Sequence, residues 1–335
     1  MQTYVPPDRL IPKTVSAVAL FLVALGLLGT FLFLPSLENR PLHTDEAILA
    51  DKLGTLIDDG TWKYDTTDFH GPALPYSALL TSELSGKNSY TSLTKTSIRL
   101  VPAIYAILLL FLLPLVSDGL GRVSIGFAAL LTAVSPMFLY YSRYFIMEVP
   151  FVVFTFALIA FGWRYFMTRR ARWALAAGVA AGLVHATKET CIITFFALGA
   201  ALFATGAIDY FVRGSGLGVI NRKRKEPFHT RHIVYACILA AIVSATLFSS
   251  FFTNLSGIFD SFTTYASYLD RSKGSGHEKP WYYYIILLTW KPSGGLVWSS
   301  AAILVLAMVG SGYAFLAAPD RNKNLHLPRF LTIYA

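Results

Sequence analysis

The tetrapeptide His43-Thr44-Asp45-Glu46 follows the first long apolar run of the sequence and brings two adjacent carboxylates to its edge. Ionisable groups beside hydrocarbon are costly and are characteristic of reaction centres and transport pathways. A carboxylate within hydrogen-bond reach of a hydroxyl can take its proton, so Asp45 and Glu46 are candidate general bases. The alternative is structural, because acids are common in the first turn of a helix, where they complement the helix dipole.

Further polar residues that could do chemistry lie between other apolar runs. Arg143 and Lys188 could stabilise an anionic leaving group. Alternatively, each could be a snorkelling side chain whose charged end reaches water at the membrane edge, and Lys188 could instead pair with Glu189. Glu148 either orients Arg143 or ends its loop. His70 could bind an anion or a sugar, or could have a structural role in its Gly-Pro turn. The remaining candidates are His277, Trp281 and Tyr282, although Trp and Tyr are common at any membrane interface.

The elements that must position these residues are membrane spans. Of 335 residues, 55% are hydrophobic and 14% are charged, and the mean hydropathy is +0.54. About 20 apolar residues cross a bilayer as a helix. The apolar runs predict spans near 14–34, 97–116, 123–140, 149–167, 172–187, 190–211, 233–252 and 295–317. A ninth begins at Phe330, so we expect 1–335 to be one membrane domain whose C-terminal part is missing.

Two of these predictions need a separate argument. The apolar stretch from Trp173 to Phe211 is too long for one crossing, and its only internal charges, Lys188 and Glu189, mark the reversal between two helices. The N-terminal run is long for a signal peptide and is expected to remain as an anchor.

The distribution of basic residues predicts the orientation. With the N-terminus in the cytoplasm, most of the 28 Lys and Arg residues face inward and most of the 19 acids face outward, in line with the positive-inside bias. In this orientation the candidate residues all lie on the external face. They come from the external loops that connect the spans, of which the first is 35–96 and the fourth is 253–294. The basic excess therefore reflects topology and does not indicate nucleic-acid binding.

The first loop has a helical pattern of its own. Thr44 is a plausible N-cap, and Gly60 follows the last apolar position. The leucines and isoleucine between them recur at helical spacing, at Leu49, Leu53, Leu56 and Ile57. We expect an amphipathic helix that lies along the membrane surface.

Five motifs, in this order, resemble those of the GT-C membrane glycosyltransferases. They are HTDEA, YDTTDFHGPALPY, YYSRYFIMEVPF, HATKET and GHEKPWYYY. The resemblance is closest to the protein mannosyltransferases and the lipid A aminoarabinose transferase, and within that branch to a prokaryotic flippase-associated family. It implies an all-α, multi-span helical bundle that transfers a sugar from a polyprenyl-phosphate donor to an acceptor hydroxyl, with inversion.

The resemblance also implies roles for particular residues. It places the catalytic acid on Asp45, with Glu46 beside it, and an external arginine on Arg143. Donor phosphate binding falls to Arg143, Lys188 and His70, with Glu148, Glu189, His277, Trp281 and Tyr282 as supporting residues or as the access route for lipid and sugar. No cofactor is required, although His43, Asp45 and Glu46 offer an alternative divalent metal site.

The expected partners follow from this assignment. They are a polyprenyl-phosphate-linked sugar, membrane lipid, and a glycan, lipid or protein acceptor. The predicted location is a prokaryotic cytoplasmic membrane, with the site on the external or periplasmic face. Two other function classes stay open: a lipid or glycolipid transporter or flippase, and a noncatalytic flippase-associated subunit. A transporter would line a path through the bilayer with charges, whereas these spans carry almost none at mid-depth.

Overall fold

The computed structural model describes residues 11–67, 70–86, 89–213, 228–271, 279–293, 296–316 and 326–335. The described chain is a bundle of α-helices with one short antiparallel hairpin, which confirms the all-α membrane fold class. The helices are α1 (Ile11–Phe33), α2 (Thr44–Asp59), α3 (Ala73–Leu84), α4 (Lys95–Leu112), α5 (Ser117–Leu120), α6 (Arg122–Val134), α7 (Pro136–Tyr141), α8 (Glu148–Thr168), α9 (Ala171–His185), α10 (Cys191–Arg213), α11 (Thr230–Phe248), α12 (Ser256–Arg271), α13 (Tyr283–Thr289), α14 (Ala301–Leu316) and α15 (His326–Tyr334). The hairpin pairs β1 (Lys291–Ser293) with β2 (Leu296–Trp298).

Four described segments are long and apolar enough to cross a membrane, so the chain is a multi-pass membrane protein. They are Lys95–Leu120, Glu148–Thr168, Cys191–Phe211 and Thr230–Phe248. Shorter apolar helices occupy Val18–Phe33, Arg122–Val134 and Ala301–Leu316. The stretch after Trp173 forms two helices, α9 and α10, and the reversal between them contains Lys188 and Glu189.

Small residues allow α9 and α11 to pack closely. A Cβ added at Gly178 would lie 2.3 Å from the carbonyl oxygen of Ala236, and one at Gly182 would lie 2.6 Å from that of Ala240. Spacing of four residues places both glycines on one face of α9, which is the usual arrangement for close helix contact in membranes.

Helix α2 differs from its prediction in its surroundings. Its leucines at 49, 53 and 56 are almost fully buried in the protein, where they pack with α3, α4 and the segment 144–147. The apolar face therefore lies against protein instead of the membrane surface. The N-cap is His43, one residue before the predicted Thr44, and Gly60 ends the helix in the left-handed conformation with φ 67°.

Three predicted span boundaries also change. The span 123–140 is divided into α6 and α7 at Ser135-Pro136, because proline lacks the N–H that would continue the helix. The span 295–317 begins as the second hairpin strand, and its helix starts at Ala301. The last helix begins at His326, four residues before the expected Phe330.

Candidate functional site

Glu46 and Arg99 form the buried centre of one face of the bundle, which we call the site face. The site face comprises 34–67, 70–94, 142–147, 186–190 and 249–267, together with the helix ends that adjoin them. Arg99 donates from Nε to Oε1 and from Nη2 to Oε2 of Glu46, each at 2.7 Å, and both side chains are at most 1% exposed. The remaining Arg99 hydrogen bonds go to the backbone oxygens of Leu37, Arg40 and Pro41.

The Glu46 carboxylate also accepts two backbone N–H groups. Phe145 donates to Oε1 at 3.0 Å, and His43 donates to Oε2 at 3.1 Å. Burial by itself raises the pKa of Glu46, but the hydrogen bonds from Arg99, Phe145 and His43 and the charge of Arg99 together hold this pKa below its ordinary value. Glu46 was predicted as half of a catalytic pair. In the structure its carboxylate is enclosed, because Arg99 and two backbone N–H groups occupy its acceptor directions, and its catalytic role stays a prediction.

Arg99 is the main residue of this buried centre that the sequence did not single out. It lies one turn into α4, within the predicted span 97–116, and is the sole charged residue of that apolar run. An arginine in that setting requires an internal partner. That requirement was the available signal, and Glu46 satisfies it.

Asp45 has the opposite environment from its neighbour. Its side chain is 57% exposed, and Oδ2 lies 3.5 Å from Nδ1 of His43. The same His43 nitrogen accepts the Asp45 backbone N–H at 3.3 Å, which fixes the start of α2. The structure therefore presents one acid of the pair to the outside of the site face and encloses the other.

Three tyrosines form a cluster in which Tyr144 lies near Asp45 and Tyr141 near Glu148 at the start of α8. The Tyr140, Tyr141 and Tyr144 rings lie 5.3 to 6.0 Å apart between centroids. Burial, followed by the charge of Asp45, raises the pKa of Tyr144. Burial, followed by the charge of Glu148, raises the pKa of Tyr141, and Lys188 opposes this shift. The tyrosines thus connect the surroundings of Asp45 with those of Glu148 and Lys188.

Arg143 is held by the end of α1. One of its Nη2 hydrogens is donated to the carbonyl oxygen of Leu32, a favourable position for a cation because helix C-termini carry partial negative charge. Burial and the nearby charge of Arg40 lower the pKa of Arg143. Among the described atoms, no hydrogen-bond acceptor is found for its buried Nε.

The backbone joins two of the motifs directly. His70 forms an isolated antiparallel bridge with Lys188, Gly71 N donates to Thr187 O at 3.1 Å, and Ala73 N donates to Ala186 O at 2.9 Å. A Cβ at Gly71 would lie 2.2 Å from the Ala186 oxygen, so this approach requires glycine. His70 and Lys188, which were predicted to share a site, are therefore adjacent in the structure.

Lys188 pairs with Glu148. Its Nζ lies 3.0 Å from Glu148 Oε1 at the start of α8, and the two side chains are 23% and 45% exposed. Glu148 therefore pairs with Lys188 and does not orient Arg143, whose guanidinium is held by the Leu32 carbonyl. The ion pair is partly open to water, which leaves Lys188 accessible from the site face.

Glu189 lies on the protein side of the reversal and is only 9% exposed. It lines a small cleft with His185, Lys188, Tyr64 and Tyr265. Burial, followed by the bond and charge of Cys191, raises the pKa of the Tyr265 phenol, whose oxygen lies 3.2 Å from Cys191 Sγ. Glu189 is thus placed to shape this cleft.

The last predicted motif is not joined to the others by the described contacts. Trp281 is 83% exposed and Tyr282 is 45% exposed, directly before α13. His277 lies outside the described residues. Their proposed role at the access route stays a prediction.

The described residues contain no group of three or more His, Cys, Asp and Glu side chains arranged to hold a metal ion. The alternative set of His43, Asp45 and Glu46 fits poorly, since Arg99 and two backbone N–H groups occupy the Glu46 oxygens.

Comparison with known proteins identifies the architecture. The family model for dolichyl-phosphate-mannose-protein mannosyltransferases matches residues 70–213. That range includes His70, Arg143, Glu148 and Lys188. The structure of ArnT from Cupriavidus metallidurans, bound to undecaprenyl phosphate, matches with a TM-score of 0.56 and 17% identity over 95% of this chain and 59% of that one. The chain has the GT-C fold of membrane glycosyltransferases.

An archaeal GT-C protein gives a comparable match. The Archaeoglobus fulgidus oligosaccharyltransferase, tethered to an acceptor peptide, has a TM-score of 0.56 and 12% identity over 94% of this chain and 45% of its own. The oligosaccharyltransferase AglB from Archaeoglobus fulgidus, in complex with an inhibitory peptide and dolichol-phosphate, has a TM-score of 0.50 and 15% identity, covering 93% of this chain and 38% of its own. The chain thus spans 38 to 59% of the length of these three proteins. No curated protein sequence gives a significant match.

Proposed function

We propose that this GT-C protein transfers a sugar from a polyprenyl-phosphate donor to an acceptor hydroxyl on the external face of a prokaryotic cytoplasmic membrane. The observation that carries the proposal is the exposed Asp45 carboxylate, set beside the buried Glu46–Arg99 pair and connected through three tyrosines to Lys188. This arrangement supplies a base and a cation on one face. Those are the two groups that displacement of a lipid phosphate from a sugar requires.

Asp45 is the proposed general base. The acceptor oxygen attacks C1 of the sugar while its proton passes to the Asp45 carboxylate, which increases the nucleophilicity of the oxygen. Attack from the face opposite the phosphate forms the new C1–O bond as the bond between C1 and the phosphate oxygen breaks, so the configuration inverts. Glu46 and Arg99 act by holding the first turn of α2 in place.

Lys188 and Arg143 are the proposed phosphate-binding cations. The lipid phosphate gains about one negative charge as it leaves, and a preformed cation stabilises that charge more strongly in the transition state than in the ground state. Lys188 is accessible and anchored through its bond to Glu148. Arg143 brings a guanidinium with a further N–H, and His70 lies beside Lys188 through the backbone bridge.

An apolar cavity next to the site supports a lipid-linked donor. It has a volume of about 340 Å³, and its lining includes His185, Ser244, Ser261, Phe248 and Phe262. Three of these residues, His185, Ser261 and Phe248, also line the cleft that contains Lys188 and Glu189. A lipid phosphate near Lys188 would therefore have an apolar space beside it, and two of the similar structures contain undecaprenyl phosphate or dolichol-phosphate.

The test is a transfer assay in nanodiscs with synthetic polyprenyl-phosphate sugars. Asp45→Asn should lower turnover by about 10² to 10⁴-fold while donor binding is retained, because general-base catalysis is typically worth that much. Asp59→Asn is the matched control, since Asp59 is an exposed acid at the other end of the same helix. Near-normal transfer by Asp45→Asn would contradict the assignment.

The phosphate-binding cations have a separate test in the same assay. Lys188→Ala and Arg143→Ala should each lower kcat by about 10² to 10³-fold and weaken donor binding less. Parallel reactions with EDTA test metal dependence: loss of transfer that a divalent ion restores would overturn the metal-free mechanism. Lipid movement across the bilayer without any sugar transfer by the wild type would favour a flippase. Absence of both activities would favour a noncatalytic subunit.

A further inference from the structure

Arg40 is a cation of the site face to which the proposed mechanism gives no role. Its side chain is 33% exposed, and its guanidinium carbon lies 4.6 Å from the centroid of the Tyr140 ring and 5.0 Å from that of Tyr144. The Arg40 backbone oxygen accepts a hydrogen bond from Arg99 Nη1 at 2.9 Å. Because its backbone and two aromatic rings hold it in place, the guanidinium is preorganised at a position that water can reach.

Arg40 has hydrogen-bond donors available for a ligand. A guanidinium carries five N–H groups, and the described part of the chain accepts a hydrogen bond from one of them, at the Arg143 carbonyl oxygen, over 2.8 Å. Oε2 of Glu46 lies 4.0 Å from Arg40 Nη2 and already accepts hydrogen bonds from Arg99 and from the His43 backbone. The planar guanidinium of Arg40 can therefore donate in parallel to two oxygens of a carboxylate or phosphate.

The surroundings of Arg40 carry an excess of positive charge. Burial, followed by the charge of Arg40, lowers the pKa of Arg143, which places the two guanidinium groups within electrostatic reach of each other. Two acids, Asp45 and Glu46, act on the nearby Tyr144. Since Glu46 is already neutralised in its buried ion pair, Asp45 alone could balance both guanidinium groups. An anionic ligand would relieve the repulsion between the two arginines.

The Tyr144 ring that Arg40 covers is also close to Asp45. His43 Nδ1 lies 3.5 Å from Oδ2 of Asp45, and the His43 ring centroid lies 5.5 Å from that of Tyr144. Arg40 and the proposed base therefore adjoin the same aromatic side chain. A ligand bound to this guanidinium would lie next to the Asp45 carboxylate.

Lys188 belongs to the other end of the tyrosine cluster. Burial and the charge of Glu148 raise the pKa of Tyr141, and Lys188 opposes that rise. An inverting displacement requires the incoming oxygen and the departing phosphate to lie on opposite faces of C1. With Asp45 as the proposed base and Lys188 as a proposed phosphate-binding cation, Arg40 lies on the side of the incoming acceptor.

We propose that Arg40 binds an anionic group of the acceptor, a carboxylate or a phosphate, and thereby holds the acceptor hydroxyl beside Asp45. This inference rests on the proposed function for the role of Asp45. Paired hydrogen bonds from a guanidinium fix the orientation of an anion, and such positioning brings a neighbouring hydroxyl into line with C1. Acceptors without a negative charge bind more weakly, so Arg40 determines specificity.

Three small glycosides that differ in one group serve as probes. Methyl glucoside is neutral, methyl glucuronide carries a carboxylate, and methyl glucoside 6-phosphate carries a phosphate. Their affinities for the purified protein in nanodiscs are measured by saturation-transfer NMR titration without any donor. The wild type should bind at least one anionic probe about 10- to 100-fold more tightly than the neutral probe, as expected for hydrogen bonds between charged groups. The tighter anionic probe distinguishes a carboxylate from a phosphate.

Arg40→Gln should reduce this preference by about tenfold or more. Arg40→Lys should retain part of it, because lysine keeps the charge but loses the paired geometry. The affinity of Arg40→Gln for undecaprenyl phosphate should be unchanged, since other cations are proposed to bind the donor phosphate. Lys63→Gln is the matched control: Lys63 is a cation in the same loop, its side chain is 77% exposed, and it should be dispensable for the preference.

Four results would overturn the inference. They are a wild type that does not prefer either anionic probe, a full preference in folded Arg40→Gln, an equal loss in Lys63→Gln, and a loss of undecaprenyl phosphate affinity in Arg40→Gln, which would assign Arg40 to the donor. Thermal unfolding identifies a misfolded variant. In that case Arg40→Lys decides, because its preference should still fall below that of the wild type.

Failure of this inference and failure of the proposed function give different results. A protein that prefers the anionic probes but transfers no sugar would contradict the proposed function and leave the anion site standing. Sugar transfer that depends on Asp45, in a protein without any preference for anions, would contradict the role of Arg40 alone.

Discussion

At the residue scale, two adjacent acids have opposite environments because α2 turns them in different directions. Successive residues of an α-helix point about 100° apart, so Glu46 enters the protein while Asp45 faces outward. Glu46 is enclosed by Arg99 and two backbone donors, whereas Asp45 is exposed, with His43 beside it and Tyr144 nearby. A fixed acid and an accessible acid are complementary, since the first holds the backbone from which the second is proposed to act.

The Glu46–Arg99 pair should make stability depend on pH. Glu46→Gln should lower the free energy of unfolding by about 3 to 5 kcal/mol at neutral pH, because it leaves the buried Arg99 charge uncompensated. The folded-state pKa of Glu46 is lowered, so its contribution is complete above the ordinary glutamate pKa of about 4.3 and is lost as the pH falls through the folded-state value. The measurement is thermal unfolding in detergent across this acidic range.

The control for this substitution is its neighbour. Asp45→Asn should change stability far less, since an exposed substitution usually alters it by no more than about 0.5 kcal/mol. The acid-dependent loss of stability should be smaller in Glu46→Gln than in the wild type. Equal stability of the Gln variant and the wild type at neutral pH would show that the pair does not hold the site face together.

At the element scale, the site depends on a backbone contact between a loop and a helix reversal. Residues 70–73 pair with residues 186–188, so the side chains of His70 and Lys188 are positioned by main-chain hydrogen bonds. Gly71 is the point of closest approach. The contact also orders the start of α3, whose first residue, Ala73, donates to Ala186 O.

Gly71→Ala should disturb this contact. Its Cβ would meet the Ala186 backbone at 2.2 to 2.5 Å, so the two segments must separate. We expect a loss of about 1 to 3 kcal/mol in stability, the usual cost of overpacking, and a fall in turnover as Lys188 moves. Gly126→Ala is the control, because its Cβ is unobstructed. A Gly71→Ala variant with wild-type stability and turnover would show that the close approach is not required.

The sequence allowed the elements to be predicted better than their partners. Each apolar run is long enough to satisfy the bilayer by itself, so the spans could be located without knowledge of their neighbours. The pairs Glu46–Arg99 and Lys188–Glu148 connect residues 53 and 40 positions apart, and no local pattern specifies them. For the same reason the sequence could not show that the apolar face of α2 packs against protein.

At the scale of the whole molecule, the charges at the two ends of the bundle determine how the protein is oriented. Basic residues accumulate at the end opposite the site face, where Arg164, Arg169, Arg170 and Arg172 surround the turn between α8 and α9. The site face contains the predicted base, Asp45, and the Glu148–Lys188 pair. The positive-inside bias therefore predicts that the basic end faces the cytoplasm and the site face lies outside.

Cysteine labelling of intact cells tests this orientation. Asp58 lies in α2 on the site face and Arg170 lies in the turn between α8 and α9, and both are exposed. In a Cys237→Ser background, which removes the exposed native cysteine while Cys191 stays buried, Asp58→Cys should react with a membrane-impermeant thiol reagent. Arg170→Cys should react only after permeabilisation, because the cytoplasmic leaflet and its basic loops are out of reach of the reagent. Permeabilised cells provide the control for accessibility of both sites. The reverse pattern would place Asp45 and Lys188 on the cytoplasmic side, which would rule out transfer at the external face. Labelling of both sites in intact cells would contradict the assignment of the two ends to opposite sides of the membrane.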